Sequence, residues 1–264
     1  MFRVSQDGRL QIQKVRLPSK TMNFSVDLEG SRCFQEGLSD IIAINFGTEK
    51  SMNKAIMVGR RNEIALLKSY YQSPKSEMVA VYGRRRVGKT FLIKETMGSL
   101  FDFDFVGMHK TSARIQRIQF QKKLNMLSKK ATRNPSDWFA AFDNLADYLM
   151  SLKKDKVVVF LDELPWMDSV NSNFLSAFSF FWNTWDSKKK LLKMYVCGSA
   201  TAWMVDTFIG DPGGLYGRIS RAIYLSPFTL AETEQYLNSA KNMKFSRMQV
   251  LETYMIFGGI PYYP

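Results

Sequence analysis

The stretch Val79-Ala80-Val81-Tyr82-Gly83-Arg84-Arg85-Arg86-Val87-Gly88-Lys89-Thr90 constrains this chain more than any other. An apolar run typical of a buried strand leads into Gly83 and Gly88, and the second glycine is followed at once by Lys89 and Thr90. Glycines let the backbone curl so that successive N–H groups point inward at one anion, which a Cβ at those positions would obstruct. Gly88 also opens a helix through Phe91, Leu92 and Ile93, whose first amides and dipole favour negative charge. The spacing is that of a phosphate-binding loop of the Walker A type. Arg84, Arg85, Arg86 and Val87 then line the curled backbone, Lys89 reaches the β- and γ-phosphates, and the Thr90 hydroxyl ligates magnesium. A plain surface turn is the alternative, and the strand directly before the loop argues against it.

A second run points the same way. Lys156-Val157-Val158-Val159-Phe160-Leu161 is continuous and mostly β-branched, as in strands covered on both faces of a parallel sheet, and it ends in Asp162-Glu163. Adjacent strand residues face opposite ways, but where the strand ends the chain turns and both carboxylates can approach one site. Asp162 is the expected magnesium ligand beside Thr90, and Glu163 the group that orients or deprotonates an attacking water. Ordinary solvated acids at a strand end are the alternative. Ser199, after the apolar Leu191–Cys197 stretch, is placed to hydrogen-bond a γ-phosphate or that water.

Between these landmarks, strands alternate with helices. Ile64, Leu66, Leu67 and Tyr70 mark an amphipathic helix after a short lead-in loop, and Phe101 to Val106 reads as a strand. Thr111 to Leu127 reads as a helix with a basic outer face, and Pro135-Ser136-Asp137 starts another that ends at Lys153-Lys154. Phe174 to Trp185 carries aromatics at helical spacing, expected to pack against the sheet rather than to stack on bases. The pattern predicts an α/β three-layer sandwich of the P-loop NTPase type, with a mostly parallel sheet, helices on both faces and the ligand at the carboxyl ends of the strands.

With 264 residues, 45% of them hydrophobic, the chain can bury a sizeable core. No apolar run approaches membrane-spanning length and no leader pattern opens the chain, so no membrane partner and a cytoplasmic location are expected. Cys33 and Cys197 suggest neither a disulfide framework nor a zinc site. A formal net charge of +13 invites a nucleic-acid partner, although runs such as Lys122-Lys123, Lys129-Lys130 and Lys188-Lys189-Lys190 also suit solvated helix ends and loops. Residues 1–51 carry no defensible pattern beyond an alternating Arg9–Val15 stretch and are expected to be a poorly ordered or appended extension, with Met52 a candidate natural start.

In order, Val58-Gly59-Arg60 with Glu63, Tyr82 to Thr90, Leu161-Asp162-Glu163, Cys197-Gly198-Ser199, Leu215-Tyr216-Gly217-Arg218, Leu225-Ser226-Pro227-Phe228 and Gly258-Gly259-Ile260-Pro261 resemble the archaeal-type ATPase family. That family belongs to the STAND class of AAA-like P-loop NTPases, and the resemblance runs from about Met52 to the C-terminus. It implies ATP as the nucleotide, and no guanine-reading Asn-Lys-x-Asp motif is present. It implies that Val58 and Gly59 pack beside the adenine, that Ser199 is a sensor of the γ-phosphate, and that Arg218 acts as an arginine finger, with Arg221 a competitor. Pro261 would lie near the base and let a helical lid sense the nucleotide. Residues 52–228 are then the nucleotide-binding domain and 229–264 the start of a lid. Family members normally continue into a winged helix, so a truncated product is expected, with turnover more in doubt than binding. Partners implied are ATP, a protein partner or second copy, and DNA through the basic surface.

Overall fold

The computed structural model describes Phe2–Val4, Leu10–Ile12, Ser25–Val26 and residues 57–185, 190–210 and 213–261. The chain divides into two compact units, Met1–Lys54 and Ala55–Pro264. In the first, β1 (Phe2–Val4), β2 (Leu10–Ile12) and β3 (Ser25–Val26) form an antiparallel sheet in which Arg3 pairs with Gln11 and Leu10 with Val26. β2 falls within the alternating stretch noted above. The rest of residues 1–51, including Cys33, and Met52 lie outside the described residues.

In the second unit five parallel strands form one sheet: β4 (Glu77–Tyr82), β5 (Phe103–Val106), β6 (Lys156–Asp162), β7 (Leu191–Gly198) and β8 (Arg221–Tyr224), in the order β5-β6-β7-β4-β8. Alternation along each strand feeds two cores. Val79 and Val81 of β4 join Val158, Phe160, Tyr195 and Cys197 on one face, while Met78 and Ala80 join Val157, Val159, Leu161 and Met194 on the other. The first face is covered by α1 (Arg61–Gln72) through Leu67 and by α2 (Lys89–Met97) through Leu92, Ile93 and Met97. The second is covered by α3 (Ala113–Ser128), α4 (Trp138–Ser151) and α5 (Phe174–Trp185). The expected three-layer α/β sandwich is therefore the fold.

The helix starts follow the capping residues. Ser112 Oγ accepts from the Ile115 N–H at 3.5 Å, and Asp137 Oδ1 accepts from the Ala140 N–H at 2.8 Å, a bond that holds the Asp137 carboxyl below the usual carboxylate range. Phe174, Phe178, Phe181, Trp182 and Trp185 of α5 are buried, with Phe180 of the same helix exposed, and Trp138 of α4 meets Phe174 edge-on at 5.0 Å. Each such ring removed from water contributes about 1.5–3 kcal/mol, which leaves none of the stripe for bases. The core reading of α5 holds.

Three local expectations need correction. β8 is absent from the strands read out of the sequence: it has four residues, with Arg221 and Tyr224 exposed, and its apolar signal is too short to see. The end of α4 is held by Lys190, whose ammonium donates to the carbonyls of Leu149 (3.1 Å), Met150 (2.9 Å) and Leu152. Lys154, credited with that task, instead pairs with the Asp102 carboxylate. Lys190 is thus turned inward, while Lys188 and Lys189 of the same basic run lie outside the described residues.

After β8 the chain enters a small helical segment. α6 (Leu230–Gln235) continues through a wider turn at Tyr236–Ala240, and α7 (Arg247–Phe257) follows. Thr229 with Glu232 and Ser246 with Gln249 form reciprocal capping boxes that fix both helix starts.

Candidate functional site

The site gathers at the carboxyl ends of β4, β6 and β7. Gly83 ends β4 where a Cβ would fall 2.5 Å from the Leu225 carbonyl oxygen, so only glycine lets the loop pass β8. Gly88 has φ 95, a conformation that costs other residues steric strain, and it delivers Lys89 as the first residue of α2. Between them Arg84, Arg85 and Arg86 are exposed, Arg86 with φ 68, while Val87 is buried. The exposed guanidiniums leave the inner face of the curl to main-chain amides.

Lys89 is only 5% exposed and donates to the carbonyls of Gly83 (3.0 Å) and Arg84 (2.8 Å). Burial pushes its ammonium below the ordinary lysine range, with Cys197, Glu163 and Asp162 pulling the other way. The Thr90 hydroxyl donates to Asp162 Oδ2 at 2.9 Å. Adjacent oxygens around an octahedral magnesium are about 3 Å apart, so this pair fits the cation the sequence implies. The second oxygen of Asp162 is held by the Cys197 thiol at 2.6 Å and the Glu163 N–H at 2.9 Å. Burial, reinforced by Asp162, pushes the Cys197 thiol well up, so it stays a neutral donor.

Glu163 sits at φ 48 and ψ 48, a left-handed conformation that a glutamate adopts only under constraint from its surroundings. The turn lifts its carboxylate off the strand axis and toward β7. There Oε2 accepts from both the Ser199 N–H (3.1 Å) and the Ser199 hydroxyl (2.8 Å). Because β7 lies between β4 and β6, Ser199 stands between the phosphate loop and the carboxylates.

A cavity of about 530 Å³ runs along this constellation. Its lining includes Arg86, Val87, Gly88, Lys89, Thr90 and Phe91 together with Glu163, and also Val58, Arg60, Phe228, Tyr236, Lys241 and Pro261. Gly59, Gly83, Arg84, Arg85, Asp162 and Ser199 are not among its lining residues. Arg218 is exposed, outside the lining, in the turn after Gly217; Arg221 is exposed too, at the amino end of β8, away from the site. Sequence reasoning passed over Arg60, Phe228, Tyr236 and Lys241 of this lining, among others. Arg60 is 8% exposed, donates to the Ser226 carbonyl at 2.6 Å and lies 4.8 Å above the Phe228 ring; burial lowers its pKa, though an arginine stays charged. Phe228 contacts Tyr236 at 5.7 Å, Tyr236 donates to the Pro261 carbonyl at 2.9 Å, and the Lys241 ammonium lies 5.4 Å from the Tyr236 ring. Arg60 and Phe228 stood inside quoted motifs; Tyr236 and Lys241 carried no signal.

Among the described residues no helix is long and apolar enough to cross a membrane, and no group of three or more His, Cys, Asp or Glu forms a metal cluster. The site therefore offers a cation two protein oxygens, which is how magnesium is commonly held beside substrate phosphates.

The chain is similar to several known proteins. The uncharacterized protein MJECL04 of Methanocaldococcus jannaschii is 24% identical over 208 residues, covering 79% of this chain and 43% of that protein. Among solved structures, the Walker-type ATPase paby2304 of Pyrococcus abyssi superposes with a TM-score of 0.55 at 19% identity, over 78% of this chain and 65% of that one. The ORC2 protein of Aeropyrum pernix, solved as ADPNP and ADP complexes, gives 0.54 at 15% identity over 74% and 54%. The chain thus spans less than two thirds of each of these relatives, and the structural likenesses speak to the fold. A family described as an ATPase domain predominantly from Archaea matches residues 57–263, and with that match over most of its length the chain belongs to this family of P-loop ATPases.

Proposed function

We propose that this chain binds ATP with magnesium and hydrolyses the β–γ bond by in-line attack of water. The observation that carries the reading is one cavity whose lining joins the phosphate loop and Glu163 to Val58, Phe228 and Pro261. A triphosphate laid on the loop meets the amides of residues 84–90, and Lys89 exchanges its two carbonyl partners for β- and γ-phosphate oxygens. Magnesium, held by Thr90 and Asp162 directly or through water, would neutralise charge on those oxygens. Glu163 orients the attacking water and takes its proton, with Ser199 positioning the carboxylate. Arg218 is outside the lining, so we assign charge stabilisation within the chain to Lys89 and keep Arg218 as a finger for the nucleotide of a second copy, a role its exposure permits. Preference for ATP rests on the lead-in residues Val58 and Gly59 and on Pro261 beside the base.

One observation favours a second reading, a switch that binds nucleotide and acts on a partner while hydrolysing slowly. Two donors of Ser199 hold the same Glu163 oxygen, and a base held in this way must be released before it can work. Titration with a fluorescent ATP analogue and magnesium, on this chain and on Lys89→Ala, tests the shared premise. Saturable binding that weakens at least about tenfold in the variant is expected; no binding by the parent chain would remove both readings.

A further inference from the structure

From Phe105 to Ser136 the chain has no aspartate or glutamate, and every charged side chain in it is a lysine or an arginine. The structure turns this stretch into one continuous edge: the end of β5, the connection through His109 and Lys110, the whole of α3, and the loop to Pro135. Lys110, Arg114, Lys122, Lys129, Lys130 and Arg133 are exposed, and none forms an ion pair among the described residues. Lys123 and Arg117 differ. Lys123 pairs with Asp104 at 2.7 Å, and Arg117 donates to the Ser136 carbonyl at 2.8 Å, so these two hold the edge together.

We propose that this edge is a binding face for the phosphate backbone of a nucleic acid, and that its footing on the carboxylate turn makes its affinity depend on the nucleotide site. Two of these cations, Arg114 and Lys122, lie on the 16-residue helix of about 24 Å and the other four flank its ends, a spread that matches a polymer with regularly spaced phosphates. An anionic membrane suits the face less well. The apolar side of α3, with Phe120 and Leu124, is already buried in the core, so no apolar stripe is left to enter a bilayer. What faces out besides cations is aliphatic surface at Ile115 near one end and Met126 and Leu127 near the other, without an exposed aromatic on the helix.

The footing is specific. The Gly107 N–H donates to the Asp162 carbonyl at 2.8 Å, and a Cβ on Gly107 would fall 2.5 Å from the Glu163 carbonyl oxygen. Gln116, fully buried in α3, accepts from the Met108 N–H at 3.1 Å and donates to the Trp166 carbonyl. The Trp166 indole touches the His109 ring at 5.1 Å and carries Arg85 of the phosphate loop over its face at 5.6 Å. The first turn of the basic helix therefore rests on the same turn that presents Glu163. The dependence on nucleotide rests on the function proposed above; the binding face does not.

The test is fluorescence anisotropy with a labelled oligonucleotide of about 20 nucleotides, single-stranded and as a duplex, at rising salt. Phosphatidylserine vesicles serve as the competing probe. Expected is saturable binding at low salt whose logarithm falls linearly with log salt. Lys122→Glu with Lys129→Glu and Lys130→Glu should weaken it by about tenfold or more and lower the salt slope by about 2–3. These exposed changes should leave the thermal melt and ATP-analogue binding unaltered, which separates failure of this face from failure of the nucleotide site. Saturating ATP analogue should shift oligonucleotide affinity by about fivefold or more, and Trp166→Phe should abolish that shift while retaining binding. Absence of binding at low salt, equal binding by the triple variant, or binding to vesicles alone would each overturn the proposal. A nucleotide effect unchanged by Trp166→Phe would overturn its second half.

Discussion

Two buried lysines, Lys89 and Lys193, sit at opposite ends of the same sheet and make the same kind of bond. Lys89 donates to the carbonyls of Gly83 and Arg84; Lys193, 1% exposed on β7, donates to those of Ser73 and Lys75. Burial lowers the pKa of both, and for Lys193 it brings it to about 8. The surroundings differ. Lys89 lines a cavity together with a carboxylate and a left-handed loop, whereas Lys193 ties the connection between α1 and β4 onto the sheet beside Glu77. A buried charge is thus not a functional signal by itself; what counts is whether its partners can be exchanged for a ligand.

The comparison can be broken at several points, and the largest effect is expected at Glu163. Glu163→Gln keeps the shape of the side chain but removes the base, and phosphate release in single-turnover assays should fall by about 10²–10⁴ with analogue binding intact. Equal rates in both proteins would favour the switch over the enzyme. Lys89→Met should lower hydrolysis by about 10²–10³ and leave the thermal midpoint within a few degrees. A large loss of stability there would make Lys89 another Lys193.

At the other end the expected effect is on folding. The folded pKa of Lys193 lies below its unfolded value, so the unfolded chain binds the extra proton between about pH 8 and 10.5 and stability rises with pH across that window. Urea melts at successive pH values should show the parent chain gaining about 1–3 kcal/mol relative to Lys193→Met over this range, with ATP-analogue affinity the same in both. A parallel pair of curves would mean that the amine is not desolvated. The smallest effect is expected at Cys197, whose thiol steadies Asp162. Cys197→Val should raise the magnesium concentration needed for half-maximal hydrolysis a few-fold, about 1 kcal/mol, without altering magnesium-free nucleotide binding.

The phosphate loop and the carboxylate pair were legible because each is a run: a continuous apolar strand, then an abrupt change to glycines and charged residues at the strand's end. The same holds for α5, where aromatics at helical spacing fill a core. What escaped is carried by single residues whose partners are remote in sequence. Lys190 caps α4 from the residue before β7, and nothing within the run Lys188–Lys190 says which lysine turns inward. Arg60 is buried only because Phe228 and Ser226, far along the chain, come back over it. β8 was missed because a four-residue edge strand needs little apolar sequence once β4 is there to pair with. Arg218 is a different case: its motif match names a role that this cavity's lining does not include, and its exposure leaves that role to a contact outside the cavity.

The Phe228 N–H donates to the Gly259 carbonyl at 2.8 Å, so the excursion that begins at Phe228 is tied at its root to the residue where it ends. A helical excursion whose first and last residues share one pin hangs from a single root. On the function proposed above, a base lodged between that excursion and Val58 would convert occupancy into an angle, and the angle is what a neighbour would feel.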